Sequence, residues 1–174
     1  MGRGHPKGFH QPHIDPSSRS KELTISFSVY REFFEELLGG QEVEKDVTNV
    51  KTDWFLEDKI VQGEPLHWLL KHRDELTLEC TGFGFNLKTG NYEFAILLAV
   101  HNPEFWVSYG SVVQPNWEAK ENLTKLYSTE EKKISQLLKT PSWTDEGLFV
   151  FREGLIRLHE LGIDEFLFIG DMLQ

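Results

Sequence analysis

The chain has 174 residues, 39% hydrophobic and 13% aromatic, with a formal net charge of −10. That is enough apolar material for a single domain, residues 1–174, with a real core, and too much for a disordered chain. The acidic balance argues against a nucleic-acid duplex as the main partner, because phosphate contacts need clustered Lys and Arg. A small phosphorylated ligand held through a metal stays compatible with it.

Residues 1–20 read as loop, dominated by Gly, Pro, His and Ser. From Lys21 to Leu38 the pattern turns helical: Leu23, Phe27, Tyr30, Phe34, Leu37 and Leu38 follow three-four spacing. Ser18 or Ser20 caps its start and Gly39 or Gly40 its end. Ile25, Val29 and Phe33 form a second apolar face, which suits a helix buried in a layered fold. Residues 41–63 are polar and acidic and read as a long loop. A short helix over Pro65–Glu75 follows, with Pro65 in its first turn. Leu76–Leu87 and Tyr92–His101 are the clearest strands, joined by the turn Lys88-Thr89-Gly90-Asn91. Asn102 caps a helix from Pro103 to about Tyr109. Trp117–Tyr127 is expected as a polar strand, Ser128–Lys139 as a helix, Thr144–Leu161 as the last long helix ended by Gly162, and Phe166–Ile169 as a short strand or docked tail. The sum is an α/β domain with a mainly antiparallel sheet.

The single cysteine, Cys80, excludes an intramolecular disulfide and points to a reducing compartment. Within a strand it reads as a small buried hydrophobe, not a nucleophile. No window reaches the roughly 18 apolar residues of a membrane span, and the N-terminus has no apolar signal region. The expectation is a cytoplasmic protein without membrane contact.

Arg31-Glu32-Phe33-Phe34-Glu35-Glu36 is the run that carries chemistry. On a helix, residues three and four apart share a face, so Glu32, Glu35 and Glu36 converge. Three carboxylates at one point repel unless a cation sits between them, and magnesium takes hard oxygen ligands. The plain alternative is a solvated acidic face with Arg31 paired to Glu35.

The same run resembles the core of the Nudix hydrolase signature, G-x5-E-x7-R-E-U-x-E-E-x-G-U, where U is a bulky aliphatic. The resemblance implies an α/β/α sandwich with a mixed, mainly antiparallel sheet. It implies Mg2+ or Mn2+ as cofactor and a pyrophosphohydrolase acting on a nucleoside diphosphate linked to another group. Glu32, Glu35 and Glu36 resemble the metal-binding acids, and Arg31 the arginine that orients a glutamate. Upstream, Gly8 resembles the first glycine of the box and Asp15 its first acidic position, shifted by one. His10 or His13 would then line the phosphate pocket. The box is divergent. The segment from Asp15 to Arg31 is longer than the family spacing by roughly one to two helical turns. Leu38 stands where glycine is usual, and Phe33 replaces an aliphatic. Only a few residues precede Gly8, where the family has strands, so the expectation is a sheet completed differently, a truncated domain, or a natural start that lies upstream. The chain also resembles a group of uncharacterised bacterial Nudix-like domains, some attached to helix-turn-helix regions, and shows no such region.

A hydrolase of this kind needs a base to activate water, and Glu93 and Glu118 on the two expected strands are the candidates. The competing reading of both is an exposed strand glutamate. His5, His10, His13 and Asp15 fit no standard zinc spacing. Trp54, Trp68, Trp106, Trp117 and Trp143 suit core or interface packing, with base stacking as the alternative. The altered loop spacing and missing strands also allow a catalytically inactive module that binds a nucleotide-like ligand as a sensor or regulatory partner. An incomplete sheet would leave an edge in need of cover, which suits a homo-oligomer.

Overall fold

The computed structural model describes residues 19–38, 54–57, 59–114, 130–141, 143–163 and 166–172. These form helices α1 (Arg19–Glu22), α2 (Ile25–Glu32), α3 (Trp54–Glu57), α4 (Lys59–Lys71), α5 (Pro103–Tyr109), α6 (Glu131–Leu138), α7 (Asp145–Glu160) and α8 (Ile169–Met172). Strands β1 (Leu76–Asn86) and β2 (Asn91–Val100) pair as a two-stranded antiparallel sheet. The protein is therefore mixed α/β. No described helix is long and apolar enough to cross a membrane. The chain divides into two compact units, one with described residues 19–77 and 99–114, the other with 78–98 and 130–172.

In the first unit, the expected single helix over 21–38 is broken. After α1, Thr24 takes an extended conformation and its hydroxyl accepts from the Phe27 amide at 3.2 Å, starting α2 afresh. A threonine oxygen competes well for orphan amides, which is why the helix restarts there; of the expected caps, Ser18 lies outside the described residues and Ser20 falls inside α1. After Glu32 the helix widens to a π turn, Phe33–Leu37. Phe27 and Phe34 pack on the fully buried Phe55 of α3, with ring centroids 5.4 and 5.7 Å apart. This places a helix inside the stretch expected to be a loop. The loop expectation also fails at α4, which begins at Lys59, so Pro65 is an interior residue and not an N-terminal one. Leu66 and Leu69 of α4 are fully buried. Trp68 stacks on His72 at 4.3 Å and leans on Phe105 of α5 at 5.0 Å, giving it a packing role. The expected cap at Asn102 is present and accepts from the Glu104 amide at 2.8 Å. Its side-chain amide also donates to Glu75.

In the second unit, the two strands lie within a residue of their expected bounds. Asn86 organises the turn: its side-chain oxygen accepts from the amides of Lys88 and Thr89, and Gly90 supplies a φ of +74°. Helix α7 lies along one face of the ribbon. A Cβ on Gly82 would meet Glu153 Cγ at 2.8 Å and Phe149 Cζ at 3.0 Å, so any side chain there would force those α7 side chains to shift. Polar ties hold both ends of α7: Lys88 to Asp145 and Asn86 to Glu146 at one, Arg157 to Glu79 at the other. Hydrogen bonding to Asp145 raises the Lys88 pKa, and hydrogen bonding to Glu79 raises that of Arg157. Behind α7, Ile134, Leu155 and Ile169 form a core joined by Leu138, Phe151, Phe166 and Phe168. The C-terminal segment is thus a docked tail, helical at Ile169–Met172, and not a strand. Trp143 stacks on Phe151 at 5.2 Å and donates its indole N–H to the Leu137 carbonyl at 2.7 Å. Cys80 departs from its expected burial: it is exposed and its thiol donates to the Gly82 carbonyl at 3.3 Å. The strand expected over Trp117–Tyr127 lies outside the described residues.

Thr144 caps α7 through its hydroxyl, which accepts from the Gly147 amide at 3.0 Å. Thr144→Ala is expected to lower stability by about 1 kcal/mol, with Thr144→Ser close to wild type, measured by urea denaturation. An Ala variant as stable as wild type would remove this cap from the account of α7.

Candidate functional site

The acidic run sits where α2 gives way to the π turn. The inward side is secured by aromatics: Phe27, Tyr30, Phe33 and Phe34 are all buried. Gln114 donates its amide to the Leu37 carbonyl at 2.8 Å, fixing the end of the π turn. Arg31 is itself buried, and its guanidinium donates to Glu32 Oε1 at 3.1 Å. The two side chains are 9% and 14% exposed, so this is a desolvated pair and not a surface one. Glu35 and Glu36 are half-buried, and each interacts with other residues.

The π turn changes what the spacing means. Residues three and four apart share a face only while the helix keeps i to i−4 bonding. Closing the ring one residue later moves Glu35 and Glu36 off the positions an α-helix would assign them. Among the described residues, no three His, Cys, Asp or Glu side chains are grouped to hold a metal ion. Glu32 is engaged by Arg31, and Glu35 and Glu36 have interactions of their own. One acid lay outside the sequence reading: Glu22 of α1, only 4% exposed. Nothing in its spacing marks it.

Of the proposed bases, Glu93 lies on β2 in the second unit and is half-buried. Its Oε1 finds no hydrogen-bond partner among the described residues, so it is not the exposed strand glutamate of the simpler reading. His159 Nδ1 on α7 is in the same condition. Gly8, His10, His13, Asp15 and Glu118, together with Gly39 and Gly40, lie outside the described residues. Comparison with family models, with curated proteins and with solved structures gives no match for this chain.

Burial raises the Tyr30 pKa above its ordinary value of 10.0, with the charge of Arg73 opposing. Below pH about 10 both folded and unfolded chains keep the phenol proton. As pH rises past that value the unfolded chain ionises first, so the contribution of Tyr30 to stability falls until the higher folded pKa is passed. Tyr30→Phe is expected to flatten the loss of stability between pH 9.5 and 11, both values set about the phenol range, as read by denaturant midpoints. Arg31→Ala should cost about 2 kcal/mol or more, because it leaves the Glu32 carboxylate desolvated without its cation. A denaturation midpoint unchanged by Arg31→Ala would mean that the pair contributes nothing.

Proposed function

We propose that this chain is a Nudix-type hydrolase of a nucleoside diphosphate linked to another group, with the acidic run as its cation and phosphate site. The observation that carries this reading is the buried donation from Arg31 to Glu32. An arginine that orients the adjoining glutamate is the relation the signature requires, and a merely solvated acidic face has no reason to desolvate it.

The donor set suits a hard cation. Magnesium is commonly held by one or two carboxylates, with water and substrate phosphate completing the shell. Glu35 and Glu36 fit that role, with Glu32 positioned by Arg31. The ion, when bound, would neutralise charge on the diphosphate and lower the pKa of a water. Glu35 and Glu36 then serve as binding groups, while Arg31 and the aromatics beneath it keep the helix from shifting. An acidic run alone would repel a phosphorylated ligand, so the site makes chemical sense only with a cation. The finer fold reading, an α/β/α sandwich with a mainly antiparallel sheet, belongs to the same proposal, as do a cytoplasmic location and a small nucleotide-like ligand.

A second reading is favoured by one observation: no three described acids gather at a point. A Nudix-like module could then bind a nucleotide-like ligand through two carboxylates and a cation without cleaving it. The readings separate on Glu36→Gln, which removes one charge at nearly constant shape. For the enzyme, turnover of nucleoside diphosphate derivatives with Mg2+ or Mn2+ should fall about a hundredfold or more while the denaturation midpoint holds. For the module, nucleotide raises the melting temperature of the wild type with no product released. Neither turnover nor a nucleotide-dependent shift with either metal would end both readings.

A further inference from the structure

The outer face of the β1–β2 ribbon is aromatic where a solvated sheet face is usually polar. Phe83, Phe85, Tyr92 and Phe94 are 60%, 51%, 66% and 50% exposed. Their rings form one cluster: Phe83 lies 5.5 Å from Tyr92 and 5.0 Å from Phe94, and Phe85 lies 5.0 Å from Tyr92. Leu87, 90% exposed, extends the patch toward the turn. The opposite face is already taken, with Gly82 and Gly84 under Phe149 and Ala95 fully buried. Along both strands the large aromatics fall on the outward positions, with Gly82, Gly84, Glu93 and Ala95 between them on the other face.

At about 200 Å² for a fully exposed ring, the patch amounts to roughly 600 Å². That is the top of the range for the largest apolar patch on a monomer. It is about three quarters of the roughly 800 Å² that one partner contributes to a stable interface.

We propose that this face is a two-fold interface between two copies of this chain. A two-fold contact sets the same patch against itself, so the patch must be self-complementary. None of these five side chains is charged, so two chains of net charge −10 can meet here without opposing like charges. Aromatic rings pair with one another in offset and edge-on arrangements, as they already do within the ribbon. Two ribbons face to face stand about 10 Å apart, a gap that such rings fill. Anionic nucleic acid and anionic lipid suit the face poorly, since the chain is acidic and Lys88 at the turn is engaged by Asp145.

Sedimentation of the full chain from about 1 µM to about 100 µM should show a shift from one-chain to two-chain mass. Phe83→Lys and Tyr92→Lys should each weaken self-association by about a hundredfold or more, while Trp106→Lys on the exposed face of α5 leaves it unchanged. A spin label on Cys80, the chain's single cysteine, supplies a readout that needs no change to the patch: the wild-type dimer should give one dipolar distance. A wild type that stays at one-chain mass throughout overturns the proposal, and so does a dimer that survives both lysine variants with their circular dichroism intact. Absence of dipolar coupling at the upper concentration also overturns it, and a monomer that co-sediments with phosphatidylcholine vesicles would replace the second copy with a membrane surface.

Discussion

A two-stranded ribbon has two faces and, alone in water, buries too little to be stable. Much of the second unit answers that constraint. Helix α7 covers one face with Phe149 and Glu153 seated against Gly82, and polar side chains tie it at both ends. The ribbon's position then depends on α7, and that of α7 on the apolar cluster behind it, where Ile134, Leu155 and Ile169 meet. The docked C-terminal helix is part of this support. The aromatic outer face is what remains when a ribbon has one cover and two sides.

In the first unit the governing term is electrostatic. A buried guanidinium is costly unless its charge is matched. Arg31 is matched by its sequence neighbour, within the same helix. This takes one carboxylate out of the acidic run and lowers the repulsion among the rest. The aromatics around Phe55 set the depth at which the pair lies. Packing and charge therefore act on the same short segment, which is the segment on which the functional reading rests.

Local signals read well in this sequence and long-range ones did not. The hairpin was legible because strand formers flank a four-residue turn with glycine, and α5 because Asn102 announces it as a cap, whereas Thr144, expected as the first residue of α7, is its cap. The break at Thr24 was not, since three-four spacing runs straight through it. Pro65 misled because proline favours a first turn, whereas the helix continues upstream of it. Burial was the hardest to read. Cys80 is exposed and Glu22 buried, and neither residue type predicts this. Within the acidic run, the order of residues suggested convergence, but the π turn depends on how Phe33 and Phe34 seat in the core, which spacing does not encode.

Proline in the interior of α4 carries a dynamic consequence. Lacking an amide hydrogen, Pro65 leaves the carbonyl one turn earlier without its ladder bond. The helix is thereby divided into two lengths whose hydrogen bonding is not fully cooperative. The length that follows Pro65 is anchored by Leu66 and Leu69. The length that precedes it can fray on its own, so backbone amides before the proline should exchange with solvent ahead of those after it.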